Sequence, residues 1–275
     1  MRRFPAIALV LLAALTLPAC APQAKRVASA SHRPRPVWGF LDSDIPVEPA
    51  YHFGRLANGM RYVIRRNANP RGTAMVRMEV AAGSLDEAPN ERGWAHFLEH
   101  MAFNGSTHFK PGELVAFLES IGARFGPHVN ASTSFDETIY MLDVPTDRDG
   151  YVDKGLTALR DFAGGASLLD DEIDKERGVV IEEWRGRLGA NSRVTDQQLP
   201  ILFAKSRYAD RLPIGLPDIL RTFPHQRLRD FYKTWYRADR MAVVVAGDLP
   251  LDESEKLVRA RFGAWVQGGA AGTFV

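Results

Sequence analysis

Apolar and polar positions alternate along this 275-residue chain in two rhythms. From Tyr51, "YHFGRLANGMRYVIRRN" reads as two short alternating runs around Asn58-Gly59, a dipeptide that suits a tight two-strand turn, and so predicts a β-hairpin. "GTAMVRMEVAAGS" alternates next and predicts a third strand. In "KPGELVAFLESIGA" the period becomes helical. Pro111 suits a first turn, Leu114, Phe117, Leu118 and Ile121 make one apolar face, and Gly122 suits the end. "HVNASTSFDETIYMLDVP" is enriched in the residues that strands prefer and predicts two strands or one long bent one. Helical periods return at about 150–164, 171–189, 226–237 and 252–262, with "RMAVVVAGDL" between the last two as a buried strand. Strands and helices mix without the regular alternation of a parallel doubly wound sheet. The pattern therefore predicts an α+β domain with a largely antiparallel sheet and helices packed on one face.

Upstream the pattern differs. Residues 1–20, "MRRFPAIALVLLAALTLPAC", begin with Arg2 and Arg3 and continue with an apolar run from Ala6 to Leu17, too short for a bilayer span and suited to an export signal. Residues 21–47 carry Pro22, Pro34, Pro36 and Pro46 among Arg, Lys and Ser without an apolar period, which predicts an extended tether ahead of a folded domain at 48–275. Cys20 is the only cysteine, so no internal disulfide can form. The ending "LPAC" resembles a bacterial lipoprotein signal, whose cysteine becomes the lipidated first residue of the mature chain. Ordinary cleavage after Ala21 would leave Pro22 just beyond the scissile bond, where its fixed φ and missing N–H suit a protease badly. The resemblance implies a periplasmic protein held to the outer membrane by a lipid anchor.

Composition changes this picture little. The chain is 45% hydrophobic and 10% aromatic, as a globular core requires. Its 35 basic and 33 acidic residues leave a net charge of +2, which offers no basic excess for nucleic acid. Neither an internal repeat nor a glycine-rich phosphate loop of the usual spacing stands out.

The chemistry concentrates in "GWAHFLEHMAFNG", residues 93–105. Three ionisable groups on one turn of an apolar segment cost free energy unless they are partnered. On a helix, His96 and His100 lie on nearly one face and can reach a single metal ion, and Glu99 borders the same space. A catalytic zinc needs a third protein ligand and an open position. Cys20 belongs to the signal, so that ligand should be His, Asp or Glu. "DDEIDKERGVVIEEWRGRLG", residues 170–189, offers Glu172, Glu176, Glu182 and Glu183 on a predicted helix. Seven residues make almost two turns, so Glu176 and Glu183 share a face while Glu182 points about 100° from Glu183. Spacing leaves both possibilities open, beside the plain reading of a solvated face of Glu and Arg pairs.

H-x-x-E-H, followed by "NASTSFDETIYMLDVP", "ERGVVIEEWR" and "SRYADRLPIGLPDIL", resembles the inverzincin peptidases of the pitrilysin, insulysin and mitochondrial processing peptidase family, in particular the bacterial PqqL-like zinc proteases. The resemblance runs from about Val47 to Phe262. It implies a zinc-dependent endopeptidase domain that hydrolyses peptides or unfolded segments with one Zn2+ per chain. By that resemblance His96 and His100 are zinc ligands, Glu99 is the general base, Glu183 is the third ligand and Glu176 is a supporting carboxylate. Asn130 and Ala131 fall on an edge strand that pairs with extended substrate backbone. Active members enclose the substrate between at least two such domains, so the resemblance also implies a C-terminal homologous domain or partner chain. Residues 1–275 alone are expected to bind zinc yet hydrolyse peptides slowly. Three rivals are weaker. A non-catalytic peptide-binding or partner subunit of the same fold needs no open zinc site. The S-ribosylhomocysteine lyases require a cysteine ligand, and structural zinc usually closes with four Cys or His.

Overall fold

The computed structural model describes residues 38–266. Cys20 and the expected export signal lie outside them. The described residues divide between Val47 and Glu48 into two units. The described part of the first is largely exposed and holds a 3-10 turn at Gly39–Asp42.

The second unit is organised on a six-stranded sheet. β1 (Tyr51–Arg55) and β2 (Arg61–Arg66) form the expected hairpin, with Tyr51 opposite Arg65 and Gly59 at φ +94°, a conformation that glycine adopts without strain. After β3 (Thr73–Val80) come α1 (Trp94–Met101), α2 (Glu113–Ser120), β4 (Val129–Thr133) and β5 (Thr138–Pro145). The chain continues through α3 (Tyr151–Gly164), α4 (Asp170–Gly186), α5 (Ala190–Leu202), α6 (Pro217–Thr222), α7 (His225–Trp235), β6 (Met241–Gly247) and α8 (Leu251–Phe262). The strand order is β1-β2-β6-β3-β5-β4. Neighbours are antiparallel except β2 and β6, which run parallel.

Register explains which face is covered. Val76 lies opposite Leu142 on one side and Val245 on the other, and Met78 lies opposite Tyr140 and Val243. Tyr62 and Ile64 continue the same layer across β6. All of these are buried, and α1, α3 and α8 pack against this face. The α+β class, the largely antiparallel sheet and the one-sided helices follow from this layer. Two helices, α5 and α6, are absent from the sequence pattern. Pro217 at the first position of α6 is a start signal that could have revealed it. Among the described residues no helix is long and apolar enough to cross a membrane.

Candidate metal centre and cleft

Helix α1 is short and packed nearly all round. Trp94, Phe97, Leu98 and Met101 are buried, and the Trp94 and Phe97 rings meet Phe223 at 5.5 and 5.0 Å. This packing fixes the direction in which the remaining side chains leave the helix. His96 Nε2 lies 3.2 Å from His100 Nε2, and Glu183 Oε2 on α4 lies 3.4 Å from each. Ligand atoms around a tetrahedral ion with bonds of about 2.0–2.1 Å stand about 3.3 Å apart. The triangle of two imidazole nitrogens and one carboxylate oxygen therefore fits one face of a zinc tetrahedron. Among the described residues it is the one His, Cys, Asp or Glu cluster of that kind.

The acidic helix sorts its carboxylates by direction. Glu182 pairs with Arg185 on the exposed side, and Glu172 with Lys175 at 2.6 Å. Glu183 and Glu176 turn toward α1. The second oxygen of Glu183 is held by Arg187. Glu176 Oε1 meets His100 Nδ1 at 2.8 Å, and its Oε2 accepts the Asn104 amide N–H at 2.7 Å. The two histidines are thus braced differently: His100 by a carboxylate, and His96, whose buried Nδ1 has no hydrogen-bond partner among the described residues, by packing.

Burial, reinforced by the neighbouring His100, pushes His96 down to about 4 and keeps it neutral, as a ligand must be. Burial also pulls on His100, but the Glu176 hydrogen bond and the surrounding carboxylates outweigh it and raise the ring. Glu176 itself is lowered, because the bonds from His100 and Asn104 overcome its desolvation. Glu99 is raised by burial, against the Thr133 hydroxyl, which donates to its Oε2 at 2.6 Å. A carboxylate raised in this way is better matched to accepting a proton near neutral pH.

His96, Glu99, His100 and Glu183 share the lining of a cavity of about 540 Å3 with Ala131–Thr133 on β4, Leu212–Ile214 and parts of α4 and α5, while Glu176 stands behind His100 and outside the lining. Ala131 is in that lining, whereas Asn130 is exposed on the same edge strand and outside it. Sequence reasoning missed Thr133, Asn104, Arg187 and the 212–214 wall. Thr133 sits two residues after Ala131 and hence on the same side of a strand. Asn104 follows His100 by four residues, and Arg187 follows Glu183 by four, at helix-neighbour spacing. Leu212–Ile214 lie inside "SRYADRLPIGLPDIL", which carries the resemblance, but no ionisable or periodic pattern there marks a cavity wall.

The family model described as Insulinase (Peptidase family M16) matches residues 62–210, and that of the Peptidase M16 inactive domain matches residues 222–272. The two matched stretches share one sheet, since β6 from the second inserts between β2 and β3 from the first. The chain is 42% identical over 198 residues to a protein named Zinc protease PQQL-like from Arabidopsis thaliana, covering 72% of this chain and 21% of that protein. It is 37% identical over 215 residues to Probable zinc protease PqqL of Escherichia coli, covering 78% of this chain and 23% of that one. The crystal structure of the first half of the periplasmic protease PqqL from Escherichia coli superposes with a TM-score of 0.80 at 36% identity, covering 84% of this chain and 49% of that one. The chain thus spans less than a quarter of the length of these curated relatives.

Proposed function

The chain belongs to peptidase family M16, and from that premise we propose that residues 48–275 are the zinc-binding catalytic domain of a metalloendopeptidase that hydrolyses peptides or unfolded segments. The observation that carries this reading is the triangle of His96, His100 and Glu183, with Glu99 beside it, opening on a cavity. Names that relatives carry, zinc protease among them, support Zn2+ as the metal. His96, His100 and Glu183 would hold it, one ion per chain. When bound, zinc supplies Lewis-acid polarisation of a carbonyl and a lowered pKa for water.

The side chains do the rest. Glu99 accepts the proton of the attacking water and passes it to the leaving amine. Thr133 holds the Glu99 carboxylate by its Oε2, and Glu176 fixes the ring of His100 through Nδ1. Ala131 and Asn130 lie on edge strand β4, where an extended peptide would add as a further strand beside the cavity.

Relatives more than four times as long as their matched part support a further homologous domain or partner chain that closes over the cleft. The word periplasmic in the name of the similar structure supports export. Residues 1–20 then act as the signal, residues 21–47 as the tether, and Cys20 as the site of a lipid anchor to the outer membrane. In the full-length protein, metal analysis should find about one zinc per chain, lost in Glu183→Ala, and a chelator should stop hydrolysis of an unstructured peptide. Hydrolysis indifferent to the chelator would overturn the reading. Cys20→Ser should release the protein from the membrane fraction.

A further inference from the structure

Glu87 is a carboxyl group with no part in the chemistry above, and it is 0% exposed. Burial pushes it up, against the pull of the Ala95 and Gly93 N–H groups and of Arg211. A glutamate in so costly a place needs partners, and its side chain and carbonyl find them at the start of α1 and on the stretch that leads into Leu212–Ile214.

Its side chain serves α1. Oε2 accepts the N–H of Gly93 at 3.0 Å and Oε1 that of Ala95 at 2.9 Å. The first N–H groups of a helix lack partners within it, and the residue just before usually supplies one from its side chain. Here that residue is Gly93, at φ +102° and with nothing to offer. It also has no room for a side chain, since a Cβ there would lie 3.0 Å from Gly215 Cα and from Leu220 Cδ2. Capping has passed to a carboxyl six residues upstream, an acceptor that the positive end of the helix favours.

The backbone of Glu87 serves the opposite wall. Its carbonyl accepts Arg207 Nη2 at 2.7 Å and Arg211 Nε at 3.2 Å. Arg211 is itself buried, and its own carbonyl accepts the Ser84 hydroxyl at 2.5 Å. The next three residues, Leu212–Ile214, line the cavity. Gly215 then returns against the start of α1, where a Cβ would fall 2.3 Å from Gly93 Cα.

We propose that Glu87 is a positioning residue, which sets α1, and with it His96, Glu99 and His100, against the Leu212–Ile214 wall. The proposal rests on the peptidase reading of the cleft. A misplacement of about 1 Å between reacting groups lowers a rate by about a hundredfold, so the join between the two walls bears on turnover and not only on stability.

The test is Glu87→Gln in the full-length protein. The amide keeps the volume and one acceptor but turns an NH2 donor toward the other helix N–H. The variant should remain folded by circular dichroism at the assay temperature. It should lose about 10- to 100-fold in kcat with KM changed less than about twofold, and bind zinc about tenfold more weakly against a competing chelator. Glu87→Asp, which keeps both acceptor oxygens, should recover part of each loss. A folded Glu87→Gln protein with wild-type kcat and zinc affinity, changed only in melting temperature, would overturn the proposal. If that variant does not fold, Arg211→Lys, which loses the Nε bond to the Glu87 carbonyl, decides instead: wild-type kcat and KM would overturn the proposal and altered values support it. A wild-type protein that neither binds zinc nor cuts peptide would sink the peptidase reading itself, a result distinguishable from failure of the variants alone.

Discussion

Helices α1 and α5 both contribute to the cavity, yet seven of the eight residues of α1 are buried and none of the thirteen of α5. In α1 the aromatic and aliphatic side chains point into the core, and the ionisable ones are left with a single direction. In α5, Val194, Ile201 and Leu202 are 52%, 76% and 72% exposed, and the helix packs mainly against the turn at Arg207–Asp210. Segments with few buried contacts open locally at low free-energy cost, whereas core helices open only with the whole fold. The cleft therefore joins one wall placed by packing, which carries the proposed chemistry, to another that can adapt to what enters. Where reacting groups must hold their geometry, the chain has spent apolar residues. Where, on the proposed reading, a varied peptide would be met, it has not.

The largest expected effect tests the chemical wall. Glu99→Gln preserves size and packing but cannot accept a proton, so peptide hydrolysis should fall by about 10^2- to 10^4-fold with zinc retained. Near-wild-type kcat in this variant would show that another group is the base. Next, Phe97→Ala removes a fully buried ring from the non-catalytic side of α1 and should lower unfolding free energy by about 3–5 kcal/mol in a denaturant titration. A loss under about 1 kcal/mol would mean that α1 is not fixed by packing, and the contrast would collapse. Glu176→Gln should weaken zinc binding by about 10- to 100-fold, because the His100 ring loses its charged brace. The smallest effect sharpens the other side: Val194→Ser on α5 should shift stability by no more than about 0.5 kcal/mol. A larger loss would show that α5 is tied into the core after all.

Legibility in the sequence tracks this division. The β1–β2 hairpin, β3 and the buried β6 announce themselves through Asn58-Gly59, strict alternation and the run of valines, because each signal is local and each face is committed to the core. The His96 and His100 pair is readable for the same reason, since one helical turn fixes it. Choosing between Glu183 and Glu182 needs the direction of α4, which spacing leaves open and the resemblance alone selects. The parallel pairing of β2 with β6 joins segments about 180 residues apart and leaves no local trace. Helix α5 has no buried face and hence no period to detect. Glu87, one acid in "GSLDEAPNERG", looks like any loop carboxylate until the fold wraps around it.

The position of β6 also bears on how the protein emerges from the ribosome. Every residue of the proposed metal centre has been synthesised by Glu183, but the strand that joins the two halves of the sheet ends only at Gly247. Until then β2 has β1 alone, and β3 has β5 alone, each with an edge of unpaired backbone N–H and C=O groups. A nascent chain stalled before Met241 would carry all of the proposed metal ligands on an unclosed sheet. Such chains are the ones most exposed to strand-to-strand aggregation during synthesis.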